Sequence, residues 1–312
     1  MRKIRLVQFL HDGGEHITCF MENVKGLNKQ EVIKAGYIPC TKGKHRRKFI
    51  KNIGKYLTNV QGEVVKEELM CWCEWEQPSY FEPIKYSNTE KQEVGFPKYI
   101  HTKLEAIESE ELRENTDPYI FGDKFYYCVC KQSIKNGSPR VTQKLDKGSV
   151  ILFGSHKDGE FVLDTVFVIN GYTEYEPNMI HKFLEEGRVS NTYYQAGLVP
   201  VRTYASIEGT NNDYTLYTGA TYDNPVEVEG SKMYSFFPCK PYKEGKGFKK
   251  PVIRFGKDVT DRLGGLKFNS KLTQNISTTE ITEDDAMYLW QEVVKQVVAQ
   301  GLCLGVWAEE PK

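Results

Sequence analysis

Residues Gly148–Ile169 read GSVILFGSHKDGEFVLDTVFVI. Two runs rich in β-branched and aromatic residues flank Lys157-Asp158-Gly159, and an Asp-Gly pair between such runs predicts a hairpin with its tip at those residues. Asp164 stands out inside the second run. A carboxylate taken from water costs several kcal/mol (roughly) unless it is paired or put to use. Working outward, Leu145-Asp146-Lys147-Gly148 makes a tight connection into the first run. Upstream, Asn115–Gln132 reads NTDPYIFGDKFYYCVCKQ, which places Asp117 in an Asp-Pro turn ahead of the consecutive aromatics Phe125, Tyr126 and Tyr127. Short strands joined by Gly, Asn and Asp turns predict a small barrel or a strongly bent antiparallel sheet over residues 111–175.

The flanks read as mixed structure. Ile4 to Phe9 forms a first strand, followed by the loop HDGGEH, and Asn28 to Ala35 is weakly helical ahead of Gly36 and Pro39. Leu69–Glu76, LMCWCEWE, has the pattern of a strand with one exposed face. The polar stretch LEAIESEELREN is helix-prone and stops at Asp117-Pro118. A short helix is expected near Asn178 to Glu186, and residues 214–256 read as extended. The last element is the clearest: Thr282 with Asp285 is a capping-box start, Leu289, Val293 and Val297 form an apolar stripe, and Gly301 ends it. No linker or repeat divides the chain. We therefore expect an α+β fold in one composite body over residues 1–312, with an N-terminal part (1–110), a β core (111–175) and a C-terminal part (176–312) that ends in a helix.

Composition narrows the function classes. The 312 residues, 39% hydrophobic and 27% charged, describe a soluble globular chain, and no apolar run reaches the ~18 residues that a membrane span needs. His11 and Asp12 interrupt the apolar run at the start, so it reads as a strand rather than a signal. With 42 basic and 42 acidic residues, whole-chain charge is neutral and local clusters must carry any preference for a polyanion. The cysteines are read as reduced thiols of a cytoplasmic protein. Cys71/Cys73 and Cys128/Cys130 could supply four thiolates, but structural zinc sites space their ligands more widely. They are read as packing residues, and no metal or other cofactor is expected. HDGGEH lacks the helical histidine spacing of zincins, although Asp12, Glu15 or His16 could line a site as acid–base groups.

Two resemblances bear on activity. LDKGSVILFGS followed by FVLDTVFVI resembles the strand–turn–strand core of PUA-like barrels, the superfamily with the ASCH and EVE domains, over residues 115–175. That resemblance implies a pocket for a modified or flipped base, with Trp72, Trp75, Phe125, Tyr126 and Tyr127 as candidate base-binding residues. Thr116-Asp117-Pro118-Tyr119 and Val162-Leu163-Asp164-Thr165 are similar to two motifs of uracil-DNA glycosylases. By that similarity Asp117 would orient water and support the sugar cation, Phe125 or Tyr126 would stack, and Asp164 would read the base edge. An aspartate accepts hydrogen bonds only, which suits the exocyclic amine of a cytosine. The bland reading of Asp164 is a turn cap or the partner of a buried base. In general style the chain resembles bacterial proteins of mobile or phage-defence loci.

Basic clusters supply the third signal. Lys42–Lys51, KGKHRRKFIK, offers Lys44, Arg46, Arg47 and Lys48, and the stretch after Pro241 offers Lys246, Lys249 and Lys250 among aromatics and glycines. Such a pattern suits phosphate contacts and base stacking, and it also suits a solvated face. The expected function is therefore a DNA-acting protein that recognises a flipped, modified base, plausibly a modified cytosine, and excises it as a DNA glycosylase with Asp117 and Asp164 as catalytic residues. The alternative is a non-catalytic PUA-like reader of modified nucleic acid, and a nucleotide hydrolase or an interaction protein forms a third class. The expected partner is DNA, with no membrane and no obligate protein partner.

Overall fold

The computed structural model describes residues 1–11, 14–15, 47–77, 79–86, 95–106, 115–130, 132, 140–202, 213–244, 246–263, 274–276 and 280–312, with backbone only at 274–276. The helix expected at 28–35 lies outside the described residues, as do Asp12, His16, Lys44, Arg46 and residues 107–114 of the helix-prone stretch 104–115, whose first residue, Leu104, is in a strand.

Alternating apolar residues around Asp158-Gly159 produce the hairpin of β7 (Val150–Lys157) and β8 (Glu160–Tyr175). Asp158 and Gly159 take φ of 51° and 87°, the positive values that a two-residue hairpin turn requires. In one six-stranded sheet β7 is flanked on its other side by the parallel β1 (Leu6–His11), whose far neighbour is β13 (Gln274–Ile276). The long β8 continues to β9 (Tyr214–Gly219) and then to the short β6 (Tyr126–Tyr127).

The second sheet contains β2 (Lys48–Leu57), β3 (Val65–Cys73), β4 (Ser79–Pro83), β5 (Tyr99–Leu104), β12 (Phe237–Pro241) and β14 (Cys303–Ala308). Because β14 pairs with both β12 and β2, the strands β14, β12, β3 and β2 close into a four-stranded barrel. The chain is α+β as expected, but its barrel is assembled from residues on both sides of the 111–175 segment. That segment instead supplies the central hairpin of the other, open sheet. The reason is non-local pairing, in which Leu57 meets Leu304 and Cys71 meets Cys239. A small hairpin of β10 (Val226–Val228) and β11 (Ser231–Met233) stands apart.

Two apolar cores are shared by both sheets. Leu69, Cys71 and Cys73 enter one and Met70 and Trp72 the other, so successive residues of β3 are buried on opposite faces. This double burial explains the unbroken run LMCWC. Beyond the strand the chain continues through Glu74 and Glu76, which are buried too, so the exposed face expected for Leu69–Glu76 does not exist at that end. Near the C-terminal side, α1 (His181–Glu185) follows a 3-10 turn at Pro177–Met179, α2 spans Lys257–Arg262, and α3 spans Glu283–Ala299. Trp290, Val293 and Val297 bury the apolar face of α3 in the second core. Thr282 and Asp285 form the capping box read from sequence, and Gly301, at φ 70°, ends the helix. No helix among the described residues is long and apolar enough to cross a membrane.

Thr282→Ala removes one half of the capping box and should cost about 1 kcal/mol of stability. The Arg262–Asp285 ion pair at 2.7 Å is left in place. Chemical denaturation measures the loss, and an unchanged midpoint would mean that the cap contributes nothing.

Candidate functional site: a buried ionic junction under a lysine-bearing loop

The run β8 keeps Phe161 and Leu163 in one core, yet after Thr165 the residues of opposite parity, Val166 and Val168, take over that face. The switch occurs where Phe153 pairs with Thr165 and Gly154 pairs with Leu163, which leaves Asp164 as the extra residue of a β-bulge. A bulge re-aims its side chain, and here it delivers a carboxylate to two cations. Arg47 Nε donates to Asp164 Oδ2 at 3.0 Å, and Lys250 Nζ lies 3.1 Å from Oδ1. Asp164 is therefore the paired carboxylate of the blander sequence reading.

Arg47, at the mouth of β2, spreads its guanidinium across the junction. Nη1 donates to Glu74 Oε2, and Nη2 lies 2.6 Å from His11 Nδ1, which is itself 3.0 Å from the same Glu74 oxygen. Burial opposes the charge on Arg47, but Glu74, Asp164 and Glu76 outweigh it and hold its pKa above the ordinary arginine value. Lys250 goes the other way: burial lowers its pKa, with Arg47 and Lys157 adding to the fall and Asp164 resisting it. Glu15, whose carboxyl burial pushes up, accepts from the backbone N–H groups of Lys98 and Tyr99 at 3.0 Å and feels Lys98 and Lys250.

Asp117 joins the same network through its backbone, whose N–H donates to Glu74 Oε1 at 2.9 Å. Its side chain has a different task. Oδ1 accepts from Cys128 N at 2.9 Å, and Oδ2 accepts from Val129 N at 3.0 Å and Cys130 N at 2.8 Å. Three successive N–H groups pointing at one carboxylate make a nest. That nest turns the chain after β6, where FYYCVC was expected to continue as strand. Burial pushes the Asp117 carboxyl up to about 6, with the Glu74 carboxylate adding to the rise and the three donors resisting it.

The two aspartates named from sequence thus lie at either end of one chain of contacts, Asp164–Arg47–Glu74–Asp117. Both are fully buried; the Asp117 oxygens accept from backbone N–H groups, whereas Asp164 Oδ1 has the Lys250 ion pair but no hydrogen bond. The aromatics expected to line a base pocket, Trp72, Trp75, Phe125, Tyr126 and Tyr127, are all core residues. Trp72 donates to Phe248 O and packs on Phe49, Trp75 meets Phe121 edge-on, and Tyr126 stacks on Tyr193. Two surface cavities, about 380 Å³ and 360 Å³, are lined by other residues, among them Glu176, Lys182 and Arg188 in the first and His156, Glu160 and Arg254 in the second.

Of the basic residues, Arg47 and Lys48 are buried rather than presented to phosphate. Lys48 Nζ donates to Gln77 O and to Ser79 Oγ. Lys250 is buried as well, whereas Lys246 and Lys249 are exposed. The loop that carries them is fastened to the bulge by Lys250 and by backbone bonds from Leu163 N to Pro251 O (2.9 Å) and from Ile253 N to Phe161 O (3.0 Å). Its Gly247 packs on Tyr86 and Pro97 with no room for a side chain; an added Cβ would sit 2.7 Å from Pro97 Cγ. Outside this contact, Lys249 Nζ lies 5.3 Å from the Phe96 ring centre, and Lys157, at the hairpin tip, comes up against Gly95. Lys157 and Lys249 thus flank Gly95 and the half-buried Phe96, and Lys98, two residues further along, is exposed. Glu74 and His11 were missed from sequence, although an acid closing the run LMCWC is the same anomaly that singled out Asp164.

Two measurements check this assignment. Asp164→Asn leaves Lys250 buried without its counter-charge and Arg47 with Glu74 as its remaining ion-pair partner, and it should cost about 3 to 5 kcal/mol in denaturant unfolding; a loss under about 1 kcal/mol would show that the bulge carboxylate is not the keystone. For Asp117 the folded pKa of about 6 exceeds the ordinary 3.8. The folded state binds the proton more tightly, so the stability contributed by this group is full below pH 3.8 and is lost as pH rises through 6. Asp117→Asn does not titrate. The stability advantage of the natural chain over this variant should therefore shrink by up to about 3 kcal/mol across that window, and an advantage that grows with pH would contradict it. Compared with known proteins, the chain matches no family model, no curated protein and no solved structure.

Proposed function

We propose that the protein binds nucleic acid, DNA being the expected polymer, and acts as a reader that grips the phosphate backbone. The observation that carries this reading is the meeting of Lys157 and Lys249 at Gly95 and Phe96, with exposed Lys98 close by in sequence. Lysines supply the counterion-releasing contacts, the phenylalanine offers a ring for stacking, and glycine lets a strand approach the backbone closely. Beneath it, Asp164, itself paired with Arg47, holds Lys250 and so fixes the loop that carries Lys246 and Lys249. On this reading the acidic anomaly in β8 serves binding indirectly, by positioning cations.

Between reading and cutting, the geometry favours reading. A general base needs a free oxygen within reach of water; the Asp117 oxygens accept from three backbone N–H groups, and Asp164 is fully buried, with Arg47 on Oδ2 and the Lys250 ammonium 3.1 Å from Oδ1. The finer proposal of a flipped, modified base, plausibly a modified cytosine, rests on the PUA-like resemblance of residues 115–175, since the five aromatics named for the pocket are core.

Lys157→Ala combined with Lys249→Ala should weaken binding to DNA across sequences and reduce the slope of log affinity against log salt by about 2, close to one per lost phosphate contact. An unchanged slope sinks the proposal. Incubation with duplexes carrying different modified cytosines, followed by chemical cleavage at abasic sites, should give no cleavage; release of a base would restore the glycosylase.

A further inference from the structure

We infer that the barrel carries a second contact for nucleic acid, a stacking platform for single strands made by Trp307 with Lys55 and Lys66. In register, Trp307 on β14 lies opposite Lys55 on β2, and Lys55 lies opposite Lys66 on β3. Three neighbouring strands thus set the three side chains in one row on one face. A β-bulge between Gly305 and Trp307 shifts the indole into that row. The Lys55 and Lys66 ammonium groups lie 5.5 Å and 5.3 Å from the indole ring centre.

This row is unbalanced in charge. Lysines directly opposite across a strand pair repel, and among the described residues neither Lys55 nor Lys66 has a carboxylate partner. The acids nearby on β3 are committed elsewhere: Glu67 accepts from Tyr56 Oη, and Glu68 pairs with Lys51 at 3.0 Å. Of the four tryptophans, Trp72, Trp75 and Trp290 are buried and Trp307 alone is half-exposed. A flat, electron-rich ring at one end of this row, with two ammonium groups near it that have no carboxylate partner among the described residues, fits a ligand that is flat and anionic at once. A nucleobase between two phosphodiesters has that chemistry, and only an unstacked strand offers the face of its base. A vesicle surface supplies the charge without the ring.

The choice of partner class rests on the proposed function, but the two contacts separate experimentally because the platform has its own optical probe. A short oligothymidylate titrated into the full chain should quench tryptophan emission saturably and shield Trp307 from iodide, and the matched duplex should do neither. Trp307→Ala should weaken oligothymidylate binding, followed by anisotropy, about ten-fold, Trp307→Phe should weaken it less, and Lys55→Gln with Lys66→Gln should flatten its salt slope. The Lys157→Ala/Lys249→Ala variant should bind more weakly and still reach the full quench at saturation. Oligothymidylate that binds with no change in emission overturns the platform and leaves the phosphate-gripping face standing. Full quenching with no effect of the Lys157/Lys249 variant keeps the platform and overturns that face. No binding of oligothymidylate, or shielding of Trp307 by phosphatidylserine vesicles instead, overturns the platform.

Discussion

The bulge that turns Asp164 toward Arg47 and Lys250 is the constraint on which the arrangement depends. Without the extra residue, β8 would keep one parity throughout and could not serve the second core with Phe161 and Leu163 before the bulge and with Val166 and Val168 after it. The insertion leaves one side chain out of the apolar pattern, and a carboxylate there has value only if it meets cations. Arg47 comes from the start of a barrel strand and Lys250 from the loop beyond another, so one carboxylate ties the open sheet to the barrel and to the outer loop. Buried ion pairs seldom gain much over well-packed apolar groups. Their usefulness here is geometric, because each partner belongs to a different part of the fold.

Asp117 solves a related problem by other means. Its oxygens collect three backbone N–H groups that the turn after β6 would otherwise bury unpaired, and its own N–H reaches Glu74 at the edge of the ionic junction. Glu74 is consequently the point where nest and ion pairs meet, since one oxygen serves Asp117 and the other serves Arg47 and His11. An acidic residue that holds neighbours in this manner resembles a catalytic acid in sequence, because both are carboxylates in apolar surroundings. Only the identity of the partner atoms tells them apart.

What could be read from sequence was local. The Asp158-Gly159 hairpin, the Thr282–Asp285 cap and the α3 stripe each depend on residues a few positions apart, and each stands as expected. The barrel was not legible at its true address because its strands come from residues 48–57, 65–73, 237–241 and 303–308, and no periodicity links them. For the same reason the basic run Lys42–Lys51 could not be divided in advance. Charge counting treats Arg47, Lys48 and Lys250 like Lys249, although the first three turn inward to partners contributed from far along the chain.

Barrel closure by β14 has a kinetic side as well. Leu57 finds Leu304, and Cys71 finds Cys239, only after most of the chain has been made, so loop-closure entropy is spent before these pairs reward it. Until then β2 and β3 form a hairpin that is open along β3 and is met on the β2 side by β5 at Ile50, with apolar residues on both faces at its Leu69–Cys73 end. Such a hairpin is a ready partner for another copy of itself. Synthesis of this protein therefore has an interval in which crowding by its own nascent chains favours intermolecular strand pairing, and the arrival of β14 ends it.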